Sequence, residues 1–465
     1  METFLKYVLL AAAVCFVLGL HLMNSPATAR KGNLLSATGM AAAVLATGVL
    51  IALDGRITAT GWLVLVSGAA FGSAVGLYLA RSVRMTAMPQ LVSVFNAVGG
   101  GAAALIAVAE FLKYGDELGA QVSLPGGLDV LIGAVTFSGS LIAAGKLQGV
   151  VSGSPVVFRG ARALNVVLAL AFAGGVVWLV ADPGSAFALV LLVLVALVFG
   201  VTMVLPIGGA DMPVVISLLN AFTGTAVAMA GFVVGEPALI IAGALVGASG
   251  GILTKLMADA MNRSLANIVI GGFGTGDDAT PAAVGGDVSV RAVSADDVAI
   301  QLAYASKVMV VPGYGLAAAQ AQHELAKLGQ LLADLKIDVS YAIHPVAGRM
   351  PGHMDVLLAE ANVAYPLMKE LTEANPEFPQ TDVVLVIGAN DVTNPAARRS
   401  GNAISGMPIL DVDKAKSVVV IKRSMGYGYA GIDNELYSNP KTGMYFADAR
   451  KGLAELISAV RTLVA

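Results

Sequence analysis

The sequence predicts a polytopic α-helical membrane domain with about nine transmembrane helices, followed by a cytoplasmic α/β Rossmann-like domain with a parallel sheet. Of the 465 residues, 57% are hydrophobic and 13% are charged, whereas about 25% of the residues of soluble domains are charged. The charged residues are also unevenly placed, because the first 263 residues hold only 12 of the 28 Lys and Arg and 10 of the 31 Asp and Glu. We expect a transmembrane domain at 1–262, a hinge and linker at 263–295, and the Rossmann-like domain at 296–465.

The overall charge and the cysteine content exclude two classes of site. A net charge of -3 and a pI near 5.8 provide no basic field, so we expect no nucleic-acid partner. The single cysteine, Cys15, lies in the first apolar segment and cannot form an intrachain disulfide or a Cys-based metal site. The four histidines lack the spacing of a metal site. We therefore expect no metal.

Nine segments are long and apolar enough to cross a bilayer, which takes about 20 residues. The predicted spans are 4–23, 33–53, 59–80, 88–113, 128–147, 163–181, 185–205, 211–234 and 237–258. The first could instead be a cleaved signal peptide, because an A-x-A-like site follows at 27–29. An uncleaved helix is favoured, since the first residues of the chain carry Glu2 as well as Lys6, and Arg30 and Lys31 come after the segment.

The distribution of Lys and Arg predicts the orientation in the membrane. If odd-numbered helices run from outside to inside, nine basic residues lie at cytoplasmic ends and three lie outside. The nine are Arg30, Lys31, Arg81, Arg84, Lys146, Arg159, Arg162, Lys255 and Arg263, and the three are Lys6, Arg56 and Lys113. We expect the N-terminus outside and the C-terminal domain in the cytoplasm.

Polar residues within the spans are candidates for a path through the membrane, because lipid offers them no partners. They are Asn96, Glu110, Thr136, Ser138, Ser140, Asn165, Asp211, Asn220 and Thr223. For any one of them, a hydrogen bond between helices is an equally good explanation. Asn96, Ser140 and Asn220 lie mid-span on different helices and could line one polar path.

The segment 271–295 is rich in Gly, Asp, Ala and Pro and is predicted to be a linker. Its Gly-rich run, residues 272–276, resembles a phosphate-binding loop. Two aspartates and a proline follow it, rather than the start of a helix that could face an anion. We therefore interpret it as a connector.

From residue 296 the sequence alternates between strand and helix patterns, which is typical of a parallel sheet with crossover helices. The predicted strands are 307–311, 337–343, 383–387, 417–421 and 444–446. The predicted helices are 296–305, 315–334, 354–361, 365–374 and 447–463. This pattern predicts a Rossmann-like domain.

The first strand leads into a G-x-G-x-x-A motif formed by Gly313, Gly315 and Ala318, and then into a helix. In this position the glycines allow a tight turn and close approach of the backbone to a pyrophosphate. An NAD site usually has an acid after the second strand, where this chain has His344 and Pro345. NADP is therefore the better prediction.

The ends of other strands support the same site, because ligands of open α/β sheets bind outside the carboxyl ends of the strands. His344 and Arg349 follow the second strand, and Lys422, Arg423 and Ser424 follow the strand at 417–421. The Lys-Arg pair suits a 2'-phosphate, although a solvated surface pair remains an alternative. The Gly-rich run 426–431 could be either a lid over the nucleotide or a surface loop.

Several motifs, in order along nearly the whole chain, resemble those of the beta subunit of proton-translocating NAD(P) transhydrogenases. They lie at 208–215 (GGADMPVV), 261–264 (MNRS), 312–315 (PGYG), 344–349 (HPVAGR), 351–354 (PGHM), 388–391 (GAND) and 422–424 (KRS). The resemblance implies NADP(H) on this chain, NAD(H) on a separate alpha subunit, and direct hydride transfer coupled to proton entry. It also implies a bacterial inner membrane location and a dimer of the alpha-beta assembly.

The same resemblance implies roles for particular residues, none of them an acid, base or nucleophile for the hydride step. Asp391 and His344 are implied to lie near NADP and to communicate with the channel, and Arg263 to form part of the hinge. Asn220, Ser140 and Asp211 are implied to belong to the channel or its mouth. The candidate nucleotide-binding residues are Gly313, Tyr314, Gly315, Ala318, Val346, Ala347, Gly348, Arg349, Gly388, Ala389, Asn390, Asp391, Lys422, Arg423, Ser424, Gly428, Tyr429, Ala430 and Gly431.

One position departs from the family pattern. Where some members have a histidine in the fourth span, this sequence has Asn96, which cannot titrate near neutral pH. Three alternatives follow: a proton carrier on a partner helix, a path of water with Asn96, Ser140 and Asn220, or His21 near the end of its span.

Two other classes of protein would also join helices to a Rossmann-like domain. A channel or transporter gated by an NADP(H)-sensing domain would bind the nucleotide without hydride exchange. A membrane-tethered dehydrogenase would need a substrate domain, and the residues after the linker leave little room for one.

Overall fold

The computed structural model describes residues 2–23, 25–55, 57–152, 156, 160–208, 211–261, 290–348, 352–400, 402, 404–428 and 430–464. They form two compact units, one containing the apolar helices and the other containing a β-sheet. Arg263, Arg349, Tyr429 and the Gly-rich run 272–276 lie outside the described residues.

The part of the first unit that the structure describes contains nine helices long and apolar enough to span a membrane. They are α1 (Glu2–Leu22), α2 (Pro26–Asp54), α3 (Ala59–Ser82), α4 (Met88–Tyr114), α5 (Ala120–Gln148), α6 (Ala161–Ala181), α7 (Ala186–Val204), α8 (Met212–Val234) and α9 (Pro237–Ala260). The predicted polytopic helical domain is thereby confirmed.

The fifth helix begins eight residues earlier than its predicted span, at Ala120 rather than 128. The sequence there contains Pro125, Gly126 and Gly127, which look like a break between helices. In the structure both glycines are packing positions instead. A Cβ on Gly126 would lie 2.9 Å from the Phe111 ring, and one on Gly127 would lie 3.4 Å from a methyl group of Val176. Small residues here let neighbouring helices approach closely.

The second unit contains a six-stranded, entirely parallel sheet in the order β3-β2-β1-β4-β5-β6. The strands are β1 (Lys307–Pro312), β2 (Asp338–Ile343), β3 (Met368–Glu370), β4 (Val383–Ile387), β5 (Ser417–Lys422) and β6 (Thr442–Phe446). This is the doubly wound order of a Rossmann fold, in which the chain changes direction across the sheet between β1 and β4. The predicted Rossmann-like domain with a parallel sheet is confirmed.

The helices of this unit are α10 (Ala295–Ala303), α11 (Tyr314–Ala318), α12 (Gln322–Asp334), α13 (His353–Glu360), α14 (Leu371–Ala374) and α15 (Ala449–Val464). Ser294 and Asp297 form a capping box that fixes the start of α10. The side chains of β1, β4 and β5 are almost entirely buried, as expected for a parallel sheet covered on both faces.

Two helix predictions in this unit are wrong in detail. The predicted helix 365–374 contains a short 3-10 turn, then β3, then α14. Pro366 cannot take part in a helix interior, and Met368 pairs with Tyr341 of β2 instead. The predicted helix 315–334 is split into α11 and α12 because Gln320 has a positive φ of 50°.

Candidate functional site

The turn after β1 lies directly against the loop after β4. The backbone N–H of Gly313 donates to the carbonyl of Ile387, and that of Gly315 donates to Gly388, each at 2.9 Å. A Cβ on Gly313 would come within 2.5 Å of the Ala389 backbone nitrogen, and one on Gly315 within 2.6 Å of the Cα of Gly388. Both glycines are therefore required for the contact of two loops at the point where the strand order reverses.

The loop after β4 is fixed by two side chains that the sequence analysis missed. The Asn434 amide donates to the carbonyl and the side-chain oxygen of Asn390, at 3.0 and 3.1 Å. The Tyr437 hydroxyl donates to the carbonyl of Ala389 at 3.4 Å. Both come from a segment with no recognisable motif, so only the folded arrangement shows their role.

Asp391 and the Gly-rich run 426–431 meet at this loop. The Asp391 carboxylate accepts a hydrogen bond from the backbone N–H of Ala430 at 3.0 Å. A Cβ on Gly428 would lie only 2.2 Å from the same carboxylate. Gly431 has a positive φ of 68°. The described part of the run is thus attached to the end of β4.

Lys422 and Arg423 point to different surroundings. The Lys422 ammonium donates to the carbonyl of Gly426 and lies 4.6 Å from the centre of the Tyr437 ring. Burial lowers the pKa of Lys422, and the nearby negative charge of Asp391 acts in the opposite direction. Arg423 and Ser424 are exposed. Arg423 is therefore available to bind an anion, while Lys422 braces the loop that follows it.

His344, at the carboxyl end of β2, is almost completely buried. Its Nδ1 accepts from the N–H of Val346 at 3.2 Å, so its Nε2, 2.7 Å from the carbonyl of Pro408, carries the hydrogen. Burial lowers the pKa of His344 to about 4, although the hydrogen bond to Pro408 opposes this. His344 is therefore neutral at pH 7 in this conformation.

The segment after His344 is organised around a second buried histidine, His353. Gly348 has a positive φ of 113°, and a Cβ there would lie 2.6 Å from the Cβ of His353. The Tyr314 ring packs edge-on against His353, with ring centres 6.2 Å apart. His353 thus joins the segment after β2 to the turn after β1.

Polar residues of the membrane helices form hydrogen bonds between α4 and its neighbours α5 and α8. The Asn96 amide donates to the carbonyl of Ile216 on α8 at 3.2 Å, and Thr223 of α8 donates to the carbonyl of Asn96 at 3.3 Å. Asn220 lies between these two contacts along α8 and is half-buried. One turn away on α4, the Ser93 hydroxyl donates to the carbonyl of Ser140 at 2.8 Å.

Asp211 directly precedes α8 and is half-buried. Ile216, whose carbonyl accepts the hydrogen bond from Asn96, lies five residues further along the chain. This places Asp211 at one end of the helix that carries Asn220.

Comparison with known proteins gives a consistent result over nearly the whole chain. The family model described as NAD(P) transhydrogenase beta subunit matches residues 5–459. A protein from Rhodospirillum rubrum named NAD(P) transhydrogenase subunit beta is 48% identical over 462 residues, covering 97% of this chain and 98% of that protein. A protein of the same name from a defined strain of that species has the same identity and coverage.

Proposed function

The chain belongs to the family of NAD(P) transhydrogenase beta subunits, and from this premise we propose that it binds NADP(H) through residues 296–465. In this proposal, hydride transfer between NADH and NADP+ is coupled to proton movement across the membrane. NAD(H) is bound by a separate alpha subunit, because among the residues that the structure describes only the motif of Gly313, Gly315 and Ala318 has G-x-G-x-x-A spacing in a strand-turn-helix context. The alternative of a channel gated by an NADP(H)-sensing domain is not favoured by the family match.

The observation that carries the proposal is the glycine turn at the β1–β4 switch point. In open α/β sheets, dinucleotides bind across this crevice, outside the carboxyl ends of the strands. Gly313 and Gly315 lie there against Gly388 and Ala389. The arrangement fits a dinucleotide whose pyrophosphate crosses the junction of the two loops.

The choice of NADP rests on the charges at the two sides of this crevice. β2 ends at Ile343 and is followed directly by the neutral His344, rather than by a carboxylate that would accept ribose hydroxyls. The exposed Arg423 follows β5, on the other side of the switch point. A 2'-phosphate on Arg423 would place the adenosine half of the nucleotide over β4 and β5 rather than over β2.

When bound, the nicotinamide rings supply the hydride donor and acceptor, so the protein needs to position them rather than to supply a nucleophile. Asp391 holds the loop that contains Gly428 and Ala430 near the end of β4. Lys422 braces the same loop through the carbonyl of Gly426. Together they would keep the loop closed over a nucleotide and exclude water from it.

The membrane helices would provide the proton path. Asn96, Ser140 and Asn220 lie on three helices whose polar contacts meet on α4. With the N-terminus outside, as the Lys and Arg distribution favours, the C-terminal domain would lie in the cytoplasm of a bacterium and the helices in its inner membrane. Arg263 would belong to the hinge between the path and the nucleotide site, and two alpha-beta units would form a dimer.

The test is NADPH-dependent reduction of an NAD analogue by vesicles that contain this chain, with and without the alpha subunit. We expect hydride transfer and a change of lumen pH only when both chains are present. The chain alone should bind NADP(H) without transferring hydride between nucleotides. Rapid NADH-to-NADP+ transfer by the single chain, or NADP(H) binding with no transfer when both chains are present, would contradict the proposal.

A further inference from the structure

A buried carboxylate, Asp129, lies inside the membrane domain. Its side chain is 0% exposed, and neither of its oxygens has a hydrogen-bond partner in the part of the chain that the structure describes. It lies in the third turn of α5, about 13 Å from the start of the helix. Ionisable residues are costly in this environment, and inside a membrane they commonly mark ion pathways and proton relays.

The packing of α4 against α5 places Asp129 among small residues. A Cβ on Gly126 would contact Phe111 of α4, and a Cβ on Gly133 would contact Ala104 of α4 at 2.8 Å. Asp129 lies between these two glycines, and the register of the antiparallel pair places it near Ala107. Ala107 is completely buried. The carboxylate therefore occupies an apolar seam between two closely packed helices.

Asp129 shares one face of α5 with the polar residues further along it. Thr136 and Ser140 follow it by seven and eleven residues, which are almost whole numbers of helical turns. The Ser140 hydroxyl is buried and has no hydrogen-bond partner among the described residues. Asp129 and Ser140 are separated by about 16 Å along the axis. One stripe of α5 thus carries a carboxylate, then hydroxyl groups.

The same seam continues to the other end of α5. The amide nitrogen of Gln90 on α4 donates to the carbonyl of Leu147 at 3.2 Å, while its buried Oε1 has no partner among the described residues. Ser93 is one turn further along α4, and its hydroxyl donates to the backbone carbonyl of Ser140. Buried polar atoms are normally hydrogen-bonded to protein or to ordered water. The seam therefore carries a row of buried oxygen atoms along its length.

We propose that Asp129 is the titratable group that carries the proton within the membrane domain, and this rests on the proposed function. The carboxylate takes up one proton from the outer side, forming an O–H bond and losing its charge. It then releases that proton along the row of oxygens towards Ser140 and Asn96, and the carboxylate is restored. The amide of Asn96 and the hydroxyl of Ser140 cannot titrate near neutral pH and only relay.

Few other charged groups face this seam. In the described parts of α7 and α8 there is no ionisable side chain, and α6 has only Arg162, in its first turn. On α4 the titratable groups are Glu110, Lys113 and Tyr114, in the last two turns. On α5 itself, Lys146 lies near the opposite end and donates to the carbonyls of Leu205 and Ile207. Glu117, an exposed carboxylate in the turn that follows α4, is the matched control.

The test uses vesicles that contain this chain together with the alpha subunit. Asp129→Asn removes the titratable group at nearly constant shape and should lower coupled hydride transfer and lumen pH change about a hundredfold. The Kd for NADP+ should stay the same. Asp129→Glu restores a carboxylate and should keep both rates within about tenfold of the original chain. Glu117→Gln should change them by less than about threefold.

The outcomes separate this inference from the proposed function. If the unaltered vesicles transfer no hydride and move no protons, the proposed function fails and Asp129 loses its role with it. If they do both, and Asp129→Asn still moves protons at the normal ratio and rate, only the assignment of Asp129 is wrong. An equal loss in Glu117→Gln would also overturn it.

A measurement on the unaltered chain covers the case in which Asp129→Asn fails to assemble. A hydrophobic carbodiimide reacts with protonated carboxyl groups in apolar surroundings, and mass spectrometry locates the adduct. We expect an adduct on Asp129 that rises in parallel with the loss of proton movement. Absence of an adduct there, or an adduct with undiminished proton movement, would contradict the proposal.

Discussion

The Asp391 carboxylate accepts a hydrogen bond from the backbone N–H of Ala430 at 3.0 Å. Asp391 comes shortly after the end of β4, and Ala430 belongs to the Gly-rich run 426–431 that follows β5. This contact therefore joins the two segments. Gly428 approaches the same carboxylate so closely that a side chain would not fit between them. The loop and the switch point of the sheet are therefore coupled through one carboxylate.

We expect Gly428→Ala to open this loop. The added Cβ would lie 2.2 Å from Asp391 Oδ1, so the hydrogen bond to Ala430 must break or shift. Hydrogen exchange of the residue 425–431 amides should become about tenfold faster, since a bond to a charged group contributes about 1.5 to 3 kcal/mol.

Two variants control this prediction. In Gly426→Ala the added Cβ would have only the Ser424 hydroxyl nearby, at 3.6 Å. This variant should leave hydrogen exchange unchanged. In an Asp391→Ala background, Gly428→Ala should have little further effect, because the obstructing carboxylate is gone. Additive effects of the two changes would show that the loop is held by other contacts.

Arg423→Ala should weaken NADP+ binding by roughly 10- to 150-fold, because a charge-assisted hydrogen bond contributes about 1.5 to 3 kcal/mol. Binding of a nucleotide that lacks the 2'-phosphate should change little. The measurement is calorimetric titration of residues 290–465 with both nucleotides. Lys451→Ala, an exposed change on α15, is the control. Equal losses for both nucleotides would mean that Arg423 is structural.

His344 should make the stability of residues 290–465 depend on pH. Burial lowers its pKa from 6.5 to about 4, so between these values the unfolded chain binds more protons than the folded one. The free energy of unfolding should therefore fall as the pH is lowered from 6.5 to 4, by up to about 3 kcal/mol. Urea unfolding at a series of pH values measures this free energy of unfolding.

In His344→Gln this part of the pH dependence should disappear, while losses at lower pH from paired carboxylates such as Glu377 and Asp382 remain. His323→Gln changes an exposed histidine and should keep the original profile. An unchanged profile in His344→Gln would show that another group is responsible.

Asn220→Leu should abolish proton movement in vesicles without changing NADP+ binding by the C-terminal domain. Leucine has a similar volume but removes the polar group next to the Asn96 contacts on α8. Each charge that crosses the membrane corresponds to about 2.3 kcal/mol per 100 mV, so coupling must alter nucleotide binding by a comparable free energy. The readout is lumen pH per hydride transferred.

Thr225→Val is the matched control for Asn220→Leu, because the Thr225 hydroxyl bonds to its own helix at Ala221, 2.9 Å away. It should leave proton movement intact. A normal proton-to-hydride ratio in Asn220→Leu would assign Asn220 to helix packing.

Sequence patterns were enough to predict the central features of the fold. Val383–Ile387 is a run of β-branched and leucine residues, and the structure has β4 at those positions. The glycines at 313 and 315 also lie at the predicted turn. Such features depend on neighbours in the sequence, which is why local patterns reveal them. β3 is different: Met368, Lys369 and Glu370 have no strand pattern, and pairing with β2 alone makes them a strand.

Parts of the candidate sites also depend on contacts that local sequence patterns do not reveal. With the fifth span predicted to start at 128, Asp129 is the second residue of that span, and the local pattern does not indicate that it is buried. In the structure α5 starts at Ala120, and Asp129 in its third turn is buried by the helices packed around it. Likewise, the sequence does not reveal that Lys422 contacts the Tyr437 ring while the neighbouring Arg423 is exposed. Both differences come from contacts between distant segments.

The short strand β3 and the segment before α10 have a consequence for the behaviour of residues 290–465 in concentrated solution. Open sheet edges promote aggregation, and short or charged edge strands reduce it. β3 is three residues long and carries Lys369 and Glu370. At the opposite edge, Arg291 and Val293 hydrogen-bond to both backbone groups of Met444 in β6. Neither edge presents a long template for another chain, so the separated domain should remain monomeric and soluble.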